Sequence, residues 1–97
     1  MLPAVPNRAP HPDYELVARI ASGETAALRE LQARHGRTTY AVAFGILTDP
    51  VAAEHAVSEA FGEVCRLASD FRPGDLTVVA WLASIARRRA EVVAAAH

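Results

Sequence analysis

From residue 13 onward, apolar positions recur at helical spacing, and no stretch alternates as a strand would. Leu16, Val17 and Ile20 fall at i, i+1 and i+4 and predict a short helix over Asp13–Ala21, ended by Ser22-Gly23. A longer helix is predicted from Glu24 to Leu47, with Leu28, Leu31, Val42 and Ile46 on one face; Gly36 is expected to bend it, and Gly45 lies near its end. Asp49-Pro50 is a helix start, Asp serving as N-cap and Pro taking the first helical position. Ala53, Val57, Ala60, Phe61, Val64 and Ala68 then mark the inner face of a third helix, whose outer face carries Glu54, Glu59 and Glu63. Residues 69–75, with Phe71, Pro73 and Gly74, predict a loop. A last helix starts near Asp75 or Thr77, with Val78, Leu82, Ile85, Ala86, Val93 and Ala96 inward. The fold class is all-α: a small bundle of four helices over residues 13–97. Before it comes a leader over residues 1–12, holding Pro3, Pro6, Pro10 and Pro12, which is expected to be disordered or extended.

Composition sharpens this. Hydrophobic residues make up 52% of the 97, but aromatics only 6%, so the apolar content is mostly Ala, Val and Leu and predicts helices packed closely on small side chains. The net charge is −1, so any positive surface must be local. A single cysteine, Cys65, leaves no internal disulfide and fits a reducing, cytoplasmic setting. No apolar run approaches the roughly 20 residues of a membrane span, and the Pro-rich start lacks the apolar core of a signal peptide.

Catalytic chemistry finds no foothold. His55 and Glu59 stand one helical turn apart, a spacing that can hold a metal, but no second His or Cys pair completes a ligand set. A solvated His–Glu pair is expected instead, with no metal and no cofactor. His35 is expected as a hydrogen-bonding residue and Cys65 as a partly buried small apolar one. No glycine-rich phosphate loop is present, and no catalytic residue is predicted. The last helix is more suggestive. Arg87, Arg88 and Arg89 fan around it at 100° per residue. Arg89 falls within the apolar stripe and is expected to extend a snorkelling stem or to pair with an acidic neighbour. Arg87 and Arg88 share the outer face with Ser84 and Glu91, beside Trp81. An aromatic next to cations can stack on an unpaired base while the cations hold phosphate. Spacing alone favours the plainer reading, with Trp81 in the core and the arginines solvated.

Three segments together, DYELVARIASGETAALRELQARHG, DPVAAEHAVSEAFGEV and DFRPG followed by AWLASIARRRAE, resemble region 2 of bacterial extracytoplasmic-function sigma factors in order and spacing, over about Asp13 to Glu91. The resemblance implies a non-enzymatic transcription-initiation module. Its third helix would dock on the basic clamp helices of the RNA polymerase β′ subunit through Glu54, His55, Ser58 and Glu59. Its loop around Phe71 and its fourth helix would recognise and open the −10 element of promoter DNA as a single strand, through Arg72, Trp81, Ser84, Arg87 and Arg88. The chain departs from the family pattern at His55, Ser58, Cys65, Arg88 and Val92. Those departures support an alternative: a diverged protein-interaction domain without DNA binding, which pairs with an anti-sigma factor or with itself.

Overall fold

The computed structural model of the chain describes residues 12–74 and 76–96. Four α-helices are found among them and no strand: α1 (Asp13–Ala21), α2 (Thr25–Leu47), α3 (Pro50–Leu67) and α4 (Val78–Ala95), with a 3-10 turn at Ala68–Asp70 after α3. Of the expected leader, only Pro12 lies within the described residues. It is extended and immediately precedes α1.

Local chemistry explains the boundaries. The first turn of α1 has no side-chain cap, but it carries Asp13 and Glu15, whose charges suit the positive end of the helix dipole. At its end the Gly23 N–H bonds to the Ile20 carbonyl at 2.9 Å. Gly23 adopts φ +91°, a backbone state that costs glycine nothing. The helix α2 begins one residue later than expected, because Glu24 is extended and serves as its N-cap. It runs unbroken through Gly36, where no interruption is seen. Thr48 ends it in the left-handed region at φ 53°, where its β-branched side chain crowds the backbone. Asp49 then caps α3, its Oδ2 accepting from the Ala52 N–H at 2.8 Å, with Pro50 at the first position. Thr77 does the same for α4, its Oγ1 accepting from the Ala80 N–H at 3.1 Å.

The helices α2, α3 and α4 pack on one another, and α1 lies across one end against α2, α3 and the 3-10 turn. The core divides in two. Beneath α1 it is built from larger side chains: Leu16, Val17, Leu31, Phe61, Val64, Leu82 and Ile85, all buried. At the other end its fully buried centre is alanine, with Tyr40, Leu47 and Val57 packed around it. Ala43 of α2, Ala53 and Ala56 of α3 and Ala90 of α4 are each 0% exposed, with Val93 beside them. Side chains this small let helix axes approach toward the short end of the usual 8–10 Å range. Ala56 and Ala90 were not among the expected core positions. Two expected core residues lie outside it: Ile46, in the last turn of α2, and Ala96, at the C-cap of α4, are both exposed. Cys65 is exposed too, on an open cleft it shares with the end of α1 and the start of α2.

Candidate functional site

The inner faces of α3 are used up by packing, and its outer stripe is free. Val51, Glu54, His55, Ser58, Gly62 and Cys65 are all exposed along it. Val51 is 75% exposed, a large apolar residue left in water. A Cβ added at Gly62 would meet nothing within 4 Å, so the middle of the stripe is open and low-relief. Glu54 has no ionic partner among the described residues.

The other two carboxylates of α3 are engaged from within the chain. Glu63 accepts from Arg66 at 2.6 Å, one turn along. Glu59 is held twice: Arg89 of α4 donates from Nη2 to Oε1 at 3.0 Å, and His55 Nε2 lies 3.1 Å from Oε2. The hydrogen bond from Arg89 holds the Glu59 carboxyl below the usual carboxylate range, with the nearby His55 adding to the effect. Arg89 Nε is buried without a hydrogen-bond partner. The expected acidic face is therefore a single free carboxylate, Glu54, with two neutralised ones beside it.

On the α4 side, Arg87 and Arg88 are exposed and Trp81 and Ser84 are half-buried. Trp81 packs its ring on Phe71 of the preceding loop, with centroids 4.8 Å apart and planes tilted by 47°. Ser84 Oγ donates to the Trp81 carbonyl at 2.8 Å. The Arg72 guanidinium turns back on its own loop and donates to the carbonyls of Ser69 at 3.0 Å and Phe71 at 3.3 Å. Between this loop and the start of α1 lies an open, largely apolar cleft of about 370 Å³, walled by Tyr14, Phe71, Pro73, Leu76 and Val78, with Asp13 at its edge. Beneath that edge Asp13 ties α1 to α2: Arg34 Nη1 donates to its Oδ1 at 2.7 Å, and His35 Nε2 lies 2.8 Å from its Oδ2. Burial pushes the Asp13 carboxyl up, but the hydrogen bonds from Arg34 and His35 outweigh it and hold the carboxyl below its ordinary value. Among the described residues no three His, Cys, Asp or Glu side chains converge as metal ligands.

The family model for sigma-70 region 2 matches residues 31–91, which take in most of α2, all of α3 and most of α4. The chain belongs to the sigma-70 region 2 family. No curated protein and no solved structure shows significant similarity to it. The expected resemblance began at Asp13, so α1 lies ahead of the matched segment. Region 2 is a non-enzymatic part of transcription-initiation factors, and the all-helical architecture agrees with it. No helix among the described residues is long and apolar enough to cross a membrane.

Within this region 2 domain, the residues expected to dock separate into two groups. Glu54, His55 and Ser58 share the outer stripe. Glu59 lies five residues from Glu54, about 140° around a helix of 3.6 residues per turn, and so turns toward α4. That angle was available in the sequence and would have pointed Glu59 away from a partner facing Glu54. Arg89 as the partner of Glu59 was not, because spacing along one helix says nothing about which neighbour faces it. The five residues expected at DNA do not all point outward: Arg87 and Arg88 do, Trp81 and Ser84 are partly covered, and Arg72 is engaged by its own loop. Phe71 was expected only as a loop residue, and its packing against Trp81 makes it part of the same surface.

Proposed function

We propose that this domain acts in transcription initiation by docking on core RNA polymerase through the outer stripe of α3, with recognition of the −10 promoter strand as a second activity on the α4 side. What supports the docking is that the matched family segment contains an α3 whose outer stripe is exposed from Val51 to Gly62. The partner suited to it is a basic, rod-like surface such as the β′ clamp helices. Glu54 supplies the charge, Val51 an apolar contact, and Ser58 with Gly62 the low relief that lets a helix approach closely. The ionic part of docking rests mainly on Glu54, so the attraction is smaller than three free carboxylates would give. On the other side, Trp81 braced by Phe71 offers a stacking surface, the adjoining cleft has room for an unpaired base, and Arg87 and Arg88 can hold phosphate.

The test is binding of the fluorescently labelled domain to purified core polymerase. Retention of the wild type and loss of about tenfold or more in affinity for Glu54→Arg is the expected result, since a like charge replaces the free carboxylate. Equal binding by wild type and variant, or no binding by either, overturns the docking. A second reading, an interaction domain for an anti-sigma factor or a second copy without DNA binding, is favoured by the engagement of Arg72 with the carbonyls of its own loop and by the exposure of Val51 and Val92. Titration with an AT-rich single strand separates the two. Binding that weakens steeply with salt and drops on Trp81→Ala supports strand recognition, and no binding at low salt supports the second reading.

A further inference from the structure

Arg89 is the third of three consecutive arginines, and unlike Arg87 and Arg88 it points into the bundle, onto Glu59 of α3. A conserving role in stability does not account for it well. Its Nε is buried without a hydrogen-bond partner, and its side chain is only 28% exposed. A partly exposed ion pair with one unsatisfied nitrogen contributes little to stability. What the pair does alter is the outer surface. Glu59 sits at the margin of the docking stripe, 35% exposed, with Oε1 accepting from Arg89 and Oε2 3.1 Å from His55 Nε2. A cation arriving from a partner meets a carboxylate that is neutralised and has a guanidinium behind it.

We infer that Arg89 is a specificity-determining residue that withdraws Glu59 from the docking surface and so attenuates this domain's affinity for basic partners. The inference rests on the docking reading above and adds a brake to it. The depressed titration of Glu59 agrees with an engaged carboxylate. Arg89 achieves this from the α4 side while itself only partly exposed: removing its charge returns one negative charge to the margin of α3. His55, on the same side, supplies the second hold on Glu59, but at 63% side-chain exposure it is free to swing into water. The persistent partner is therefore Arg89.

The experiment measures binding of the whole chain to two probes, purified core polymerase and a Lys/Ala helical peptide, at low and at moderate salt. Arg89→Met keeps the stem and removes the charge. It is expected to bind both probes about two- to fivefold more tightly than wild type, the range of one exposed ion pair, with the gain shrinking as salt rises. Glu59→Gln alone is expected to change affinity by less than about twofold, and Arg89→Met/Glu59→Gln to lose the gain. Tighter peptide binding by Arg89→Met, with no polymerase binding by any variant, leaves the brake standing and removes the docking reading. An Arg89→Met variant that binds the peptide no better than wild type while its helical signal and unfolding midpoint are retained overturns the brake. So does a Glu59→Gln variant that by itself loses tenfold on polymerase, because Glu59 would then be a direct contact.

Discussion

Ala90 is the sharpest probe of how the methyl-lined end of the bundle is built. It is 0% exposed and meets Ala43, Ala53 and Ala56, themselves fully buried. Ala90→Leu pushes about three further carbons into a contact with no room between the helices, and overpacking of this kind costs about 1–3 kcal/mol. Ala90→Gly errs the other way. It removes a buried methyl, about 0.8 kcal/mol, and loses about 1 kcal/mol of helix propensity, for a sum of about 2 kcal/mol. A domain of this size is expected to be stable by only about 4–13 kcal/mol, so either change is a large fraction of the whole. With a urea m-value of about 1–1.5 kcal/mol/M, both variants should unfold at a midpoint lower by roughly 1–2 M, followed by helical ellipticity. Two controls fix the interpretation. Ala41→Leu, on the exposed side of α2, should leave the midpoint nearly unchanged, and Leu82→Met, in the larger-residue core, should cost less than about 1.5 kcal/mol. An Ala90→Leu midpoint equal to wild type would refute close packing of α2, α3 and α4 at this end.

Two further outcomes follow from the geometry. Asp13→Asn should lower stability at neutral pH by about 1–2 kcal/mol, the value of charged hydrogen bonds discounted for partial solvent access. Because the folded-state carboxyl of Asp13 titrates below its ordinary value, its contribution is complete above about pH 4 and is lost as pH falls through the lowered value. The wild-type and Asp13→Asn unfolding curves should therefore converge in acid, and a gap that persists there contradicts the assignment. Thr48→Gly removes a β-branched side chain from φ 53° and should stabilise by about 1 kcal/mol, read as a rise in thermal midpoint of several degrees.

The helices were legible in the sequence because their signals are local. Asp49-Pro50 and Thr77 cap where their chemistry says they should, and the stripe from Ala53 to Ala68 follows from spacing alone. Arg89 within an apolar stripe left a snorkelling stem or an acidic partner open, and Glu59 could be named only once α3 and α4 were placed side by side. The same holds for Asp13, whose links to Arg34 and His35 span 21 and 22 residues and leave no periodic trace. Ala56 and Ala90 escaped notice because a methyl group is equally at home inside and outside a helix bundle, so burial of alanine is decided by the neighbour. Cys65 was expected to be partly covered from its residue type, and its position on α3 overrode that tendency.

The alanine contacts have a mechanical consequence. Long side chains between helices act as compliant padding; the fully buried alanines at the centre of this end leave little such slack. The stripe of α3 and the arginines of α4 are thus held at a fixed offset, like the two jaws of a gauge. A partner that tilts one of them therefore strains the alanine contacts before it moves one helix past the other.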